Sequence, residues 1–227
     1  MRLLPKNRNE RWRFLGLLGL FAVLAFLYHE PALAFLTRTP VLYHYALYQP
    51  KEGDVVFQSL PHTDLIDAIE GITHSPYSHC GVVLRNEKGE WVVIESIFTV
   101  HETPLFMWMA RGRGAAFAAY RLDPKFDSSL PEFKKDLLAH LGEPYDFDYN
   151  MTKPKTAYCS GLVYQSFEKA TGEKLGRLEK LRDLDWKPFE PFIREIQDGR
   201  LPLDRVMITP AALSQAPQLH EVHPHGA

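Results

Sequence analysis

Residues 80–97 read Cys80-Gly-Val-Val-Leu-Arg-Asn-Glu-Lys-Gly-Glu-Trp-Val-Val-Ile-Glu-Ser-Ile97 and carry the pattern of a β-hairpin. The two runs Cys80–Leu84 and Trp91–Ile97 have the composition of β-strands. Between them, Asn86 can begin a type I turn and Gly89 can take the left-handed position that follows. The stretch therefore predicts two antiparallel strands joined by a short turn.

The hairpin brings together two residues that can act on a proton. With an odd-length turn, His79 and Glu95 emerge on one face of the sheet, opposite or diagonal to each other. A carboxylate beside an imidazole fixes the histidine tautomer and stabilises the imidazolium. Cys80 must point to the other face, where it is most simply a core residue. A core histidine and a glutamate at a strand edge would explain the same residues without catalysis.

A cysteine lies at the start of a predicted helix that runs from about Tyr158 to Ala170 and stops at Gly172. Cys159 begins an apolar stripe with helical spacing, so its side chain faces the protein. The unpaired N–H groups and the dipole of a first helical turn favour the thiolate, which is the nucleophilic form. By position alone, Cys159 could equally be a small buried hydrophobe.

The remaining regular elements surround these two regions of the chain. The pattern predicts a strand at 54–57, a short helix at 64–70, a strand at 115–122 and a helix at 129–141. Ser129 and Glu132 have the spacing of a capping box, and Gly142 closes that helix.

Composition excludes several classes of protein. The net charge is -2 and the pI is about 6.6, so no basic surface is expected and nucleic acid is not a predicted partner. With two cysteines, the chain is neither a disulfide scaffold nor a four-cysteine zinc module. His79 and Cys80 diverge on their strand, and no paired-ligand motif is present, so neither a metal nor a cofactor is expected.

The N-terminus has the pattern of an export signal. Five basic residues precede an apolar run, residues 14–28, which is shorter than the roughly 20 residues of a comfortable membrane span. Small residues at 32–34 would suit a signal peptidase. We therefore expect residues 1–34 to be a signal peptide or an apolar membrane-anchor helix. Either one would deliver the rest to the periplasmic side of the cell envelope, and the anchor would hold it at the inner membrane.

The rest of the chain divides into three parts. Residues 35–50 are interpreted as a linker, with a first packing segment as the alternative. Residues 51–210 are expected to form the domain, and residues 211–227 a disordered tail.

Several separated motifs, in order, resemble one family. This chain is similar to the YiiX-like group of permuted papain-like enzymes of the NlpC superfamily, in which the histidine precedes the cysteine. The similarity covers roughly residues 50 to 175. The motifs that carry it are Gly53-Asp-Val-Val-Phe-Gln58, His74-Ser-Pro-Tyr-Ser-His-Cys-Gly-Val-Val83, Val93-Ile-Glu-Ser96, Thr103-Pro-Leu105 with Trp108 and Ala110-Arg-Gly112, Pro144-Tyr-Asp146 and Tyr158-Cys-Ser-Gly-Leu-Val163.

This resemblance implies an α+β fold in which an antiparallel half-barrel sheet packs on the cysteine-bearing helix. It also implies that Cys159 is the nucleophile, His79 the base and Glu95 the orienting residue. The expected reaction is attack on an amide or ester of a cell-envelope peptide or acyl lipid, through a thioacyl-enzyme that passes its acyl group to water or another acceptor.

Two aromatic residues near the motifs are candidates for substrate contact, namely Tyr77 and Trp108. The apolar run 105–108 could line an acyl groove or pack as an ordinary amphipathic helix. A non-catalytic module that binds a lipid or peptide in the same groove is the alternative function.

Overall fold

The computed structural model describes residues 40–223, and their centre is a six-stranded antiparallel sheet. The strand order is β4-β3-β2-β1-β5-β8. The strands are β1 (Val55–Gln58), β2 (His79–Arg85), β3 (Trp91–Ile97), β4 (Thr99–Pro104), β5 (Phe117–Leu122) and β8 (Leu219–His223), and a separate pair is formed by β6 (Glu179–Lys180) and β7 (Val206–Met207).

Helices cover the sheet on both sides. They are α1 (residues 40–47), α2 (Asp64–Thr73), α3 (Leu105–Arg111), α4 (Leu130–Ala139), α5 (Cys159–Thr171), α6 (Glu190–Ile196) and α7 (Pro210–Ser214). This mixture of helices with an antiparallel sheet confirms the predicted α+β class. The predicted capping box at Ser129 does not form, because a 3-10 turn runs into α4 and holds Ser129 in helical backbone geometry.

The predicted hairpin is present as β2 and β3. Arg85 pairs with Trp91, which leaves a five-residue turn. The Asn86 side chain accepts hydrogen bonds from the N–H groups of Lys88 and Glu90 at 3.0 and 2.9 Å. Gly89 has a φ of 76°, the left-handed geometry that glycine adopts without steric cost.

Each face of the sheet has its own core. On one face, α5 packs against residues such as Val82 and Ile94. On the other, α3 contributes Trp108 and Met109 to a cluster with Val83. Because side chains alternate along a strand, His79 and Glu95 belong to the α3 face and Cys80 to the α5 face.

Both ends of the described chain belong to the domain, which corrects two predicted boundaries. In α1, Val41 and His44 are buried, as is Tyr48 just after it, so residues 40–50 are not a linker. Residues 211–223 are not a disordered tail, because they complete α7 and supply β8, which pairs with β5. Val41, His44 and Tyr48 have the i, i+3, i+7 spacing of a buried helix face.

The predicted export segment, residues 1–34, lies outside the described residues. Between residues 40 and 223, every helix is too short or too polar to cross a membrane.

Candidate active site

Cys159 is the first residue of α5, as predicted, and its side chain is buried. Two contacts hold the approach to the helix. The Ser96 hydroxyl donates to the carbonyl of Ala157 at 2.7 Å, and the hydroxyl of Tyr158 accepts from the N–H of Ile208 at 3.1 Å. The helix start is thereby tied to β3 on one side and to the chain after β7 on the other.

His79 and Glu95 meet in the predicted arrangement, diagonal across β2 and β3. His79 Nε2 lies 2.5 Å from Glu95 Oε2. Gly81 lies beside Glu95, just beyond the pairing of Val82 with Ile94, and a Cβ there would lie 3.3 Å from the Glu95 Cβ and 2.5 Å from Val93 Cγ1. The absence of a side chain at Gly81 therefore allows the close pairing of the strands beside the glutamate.

Glu95 is fully buried and is also held by residues from α3 and β4 that sequence reasoning did not assign. Arg111 forms a two-pronged ion pair with it, at 3.0 and 2.5 Å, and the Thr103 hydroxyl donates to Oε1 at 2.5 Å. Burial raises the pKa of Glu95, but hydrogen bonds and charges from His79 and Arg111 outweigh it and keep the pKa far below its usual value. Because a buried carboxylate needs a nearby cation, Glu95 within a β-rich run was the sequence signal that could have pointed to a partner such as Arg111.

The imidazole and the thiol shift each other's pKa in opposite directions. Burial lowers the pKa of His79, but hydrogen bonding to Cys159 and Glu95 and their negative charges raise it to about 9. Because Nε2 faces Glu95, Nδ1 is the nitrogen left for the sulfur. The pKa of Cys159 lies well below its usual value, through a hydrogen bond from Cys80 that outweighs burial and through the contact with His79. Both shifts favour the imidazolium and thiolate forms of the pair.

Cys80 is a core residue, as predicted, but the sequence did not reveal its contact with Cys159. Hydrogen bonding from its thiol and its backbone N–H lowers the pKa of Cys159. Burial and the neighbouring sulfur raise the pKa of Cys80, so that it remains a thiol. Both cysteines are free. The two lie far apart in sequence, which is why pattern alone could not bring them together.

Two pockets meet at the site. Cys159 lines a pocket between α2, α6 and α7, with a mostly apolar wall that includes Ile72, Ile193 and Met207. His79 lines a second cleft. The residues common to both are Leu65, Ile69, Ser78 and Tyr145.

Neither predicted substrate-contact residue lines these pockets. Trp108 is fully buried, packs edge-on against Phe117 and lies with its ring 6.4 Å from that of His79. Tyr77 packs against Phe57 at a ring distance of 5.3 Å. Trp108 thus packs near the imidazole inside the core. The run 105–108 packs as an ordinary amphipathic helix because its apolar side faces the sheet.

Comparisons with known proteins show the family of this chain. A model of the family described as permuted papain-like amidase enzymes, YaeF/YiiX, C92 family, matches residues 49–223. The uncharacterized protein YiiX of Escherichia coli (strain K12) is 30% identical over 179 residues, which cover 77% of this chain and 87% of that protein. A crystal structure described as the metalloprotein YiiX from Escherichia coli O157:H7 has 29% identity and a TM-score of 0.72, covering 77% of this chain and 97% of its own. The chain therefore belongs to the YaeF/YiiX, or C92, family of permuted papain-like amidases.

Proposed function

We propose that this protein is a cysteine hydrolase that cleaves an amide or ester bond through a thioacyl-enzyme. In this proposal Cys159 is the nucleophile, His79 the general acid and base, and Glu95 the residue that orients His79. The observation that carries the proposal is the buried series of Cys159, the His79 imidazole and the Glu95 carboxylate, in which His79 Nε2 lies 2.5 Å from Glu95 Oε2 and the thiol and the imidazole shift each other's pKa. That series supplies a nucleophile and a proton donor in one place.

The reaction follows from the resting charge pair. The Cys159 thiolate attacks the carbonyl carbon, and the carbonyl oxygen becomes an oxyanion. The N–H groups of the first turn of α5 have no acceptor within the helix and are available to this oxyanion. When the bond to the leaving group breaks, its electron pair takes the proton of the His79 imidazolium, which gives the thioacyl-enzyme and a neutral leaving group.

The second half restores the enzyme. Neutral His79 takes a proton from water or from another acceptor, whose oxygen or nitrogen attacks the thioester carbon. The thiolate then leaves, and the imidazolium is again beside it. Glu95 stays ionised throughout, because Arg111 and Thr103 hold it and its pKa is far below neutral.

For the substrate, we propose a cell-envelope peptide or an acyl lipid. The apolar pocket beside Cys159 supports a substrate with an apolar acyl portion. The predicted export segment supports the periplasmic side of the envelope as the location and the membrane as a partner. Incubating the Cys159→Ser variant with envelope extract, and identifying by mass spectrometry what it retains, tests the substrate class.

The solved relative is described as a metalloprotein, and the donor groups of residues 40–223 do not match that property. Among residues 40–223, no three side chains of His, Cys, Asp or Glu are placed to hold a metal ion. His79 and Glu95 are hydrogen-bonded to each other, and Arg111 forms an ion pair with the Glu95 carboxylate. The steps proposed above therefore use protein side chains alone.

Thiol alkylation tests the proposal. With iodoacetamide at mildly acidic pH, we expect Cys159 to be carboxamidomethylated while Cys80 is not, because only Cys159 has a lowered pKa. Peptide mapping by mass spectrometry measures both. His79→Ala should slow the reaction of Cys159 by at least about tenfold, since it removes the cation that stabilises the thiolate.

His140→Ala is a matched control, because His140 is also a partly buried histidine paired with carboxylates, Asp136 and Glu143, but lies at the C-terminal end of α4, away from the site. It should leave the rate unchanged. A Cys159 that reacts no faster than an ordinary thiol would favour the alternative, a module that binds a lipid or peptide without turnover.

A further inference from the structure

The second cleft opens on the imidazole side of the site. His79 lines it, together with Leu60, Ile97 and Arg111, whereas Cys159 lines the other pocket. The thiol and the imidazole therefore face two different spaces, which meet at their common residues on α2 and at Tyr145.

The chemistry of the proposed reaction assigns a role to each space. The sulfur bonds to the acyl carbon, so the acyl group must lie on the Cys159 side. The imidazolium must reach the atom that leaves, so the leaving group must lie on the His79 side. This assignment rests on the proposed function, and it makes the cleft beside His79 the leaving-group subsite.

Two aromatic side chains line this cleft without being buried in the protein. Phe98 is 80% exposed and has a φ of 58°, a backbone conformation that is costly for a bulky residue. Its carbonyl accepts a hydrogen bond from the N–H of Tyr145 at 2.8 Å, which holds this geometry. Phe147 is 50% exposed and packs on Tyr145 at a ring distance of 4.9 Å. A strained backbone that holds an aromatic ring in water at the mouth of a site is typical of a ligand contact.

The cleft offers no free charge to a ligand. Arg111 is the cation on its wall, and both prongs of its guanidinium are bound to Glu95. The other polar residues that line it are neutral, namely Thr63, Ser78, Ser96 and Tyr145, and His79 is hydrogen-bonded to Glu95. A charged leaving group would lose its hydration there without gaining a partner.

We propose that the cleft beside His79 is a subsite for an apolar or aromatic leaving group, with Phe98 and Phe147 as its specificity-determining residues. The substrate then carries an apolar group on both sides of the bond that is cleaved. The leaving amine or alcohol departs neutral, after it has taken the proton of His79.

Ligand binding to the full chain tests this subsite without requiring turnover. The probe is 2-phenylethanol, a neutral aromatic alcohol with the chemistry of the released group, and its affinity is measured by saturation-transfer NMR titration. We expect Phe98→Ala and Phe147→Ala each to weaken binding at least fivefold. Both side chains project from the surface, so neither variant should unfold the domain.

Met107→Ala is the control, because Met107 is also a large exposed hydrophobic residue, on α3 outside the cleft, and should leave the affinity unchanged. Saturating 2-phenylethanol should also slow the alkylation of Cys159, and this protection should weaken in Phe98→Ala. Binding that is absent, or that is equally strong in Phe98→Ala and the wild type, overturns the subsite. If 2-phenylethanol binds in a Phe98-dependent way but Cys159 is unreactive, the proposed reaction is overturned and the proposal of an aromatic binding cleft stands.

Discussion

At the level of single residues, the pKa of His79 is governed by its two neighbours. Burial alone would lower it, yet Cys159 and Glu95 hold it at about 9. In the proposed reaction the imidazolium is the proton donor to the leaving group, so activity is expected below this pKa and should be lost as the pH rises through it. The alkaline limb of kcat/KM is therefore expected near pH 9.

Replacing Glu95 should move this limb. Glu95→Gln removes the negative charge that favours the imidazolium, so the limb should shift below 9, and kcat should fall by roughly 10²- to 10⁴-fold because the imidazole loses its orienting partner. The pH profile of kcat/KM measures the shift. Glu102→Gln, an exposed glutamate on β4, should leave the profile unchanged. A limb that stays in place in Glu95→Gln would contradict the role given to Glu95.

At the level of secondary structure, the geometry of the proposed catalytic residues depends on how closely β2 and β3 approach at Gly81. A methyl group there would lie 2.5 Å from Val93 Cγ1 and 2.7 Å from the carbonyl oxygen of Ile94. The strands would have to separate at the point where Glu95 faces β2, since neither the branched Val93 nor a backbone oxygen can move away freely.

Gly81→Ala should therefore lower the free energy of unfolding by about 1–3 kcal/mol and slow the alkylation of Cys159. Urea unfolding and iodoacetamide labelling measure the two effects. Gly89→Ala in the turn of the same hairpin is the matched variant: no heavy atom lies within 4 Å of a Cβ there. It should cost about 1 kcal/mol, through its positive φ alone, and leave the alkylation rate unchanged. Equal effects of both variants on alkylation would argue against the close approach at Gly81.

At the level of the whole molecule, two buried histidines join the beginning and the end of the described chain. His44 Nδ1 on α1 lies 3.1 Å from His223 Nε2 on β8, and the His223 ring stacks on Phe117 at 4.6 Å. Burial lowers the pKa of both below 6.5, and the mutual repulsion lowers that of His223 further. The folded state therefore favours neutral rings.

Stability should follow the titration of these rings. Because the folded pKa values lie below those of the unfolded chain, the unfolded state binds more protons as the pH falls, and stability is lost from about pH 6.5 down to the folded pKa. Urea unfolding across this window measures the loss. A His44→Asn, His223→Gln double variant should have a flatter profile, whereas His220→Gln on the exposed side of β8 should keep the slope of the wild type. An unchanged slope in the double variant would show that the pair does not control acid stability.

The hairpin, the cysteine-bearing helix and the partnership of His79 with Glu95 could be predicted because each depends on local rules. Turn residues set the strand register, and the register decides which side chains share a face. The α+β class and the family followed from motifs that are short and contiguous. The positions of Cys159 and Gly172 likewise follow from local helix-end chemistry.

The tertiary structure decides which residues surround His79 and Glu95. The Arg111 clamp on Glu95, the contact of Cys80 with Cys159 and the burial of Trp108 join elements that are distant in sequence. Strand β8 reads as a tail because a single polar edge strand is stabilised by its partner strand and not by its own residues. Local sequence determines whether each segment forms a helix or a strand. Which segments become its neighbours depends on the burial of surface, and that burial occurs only when elements distant in sequence pack together.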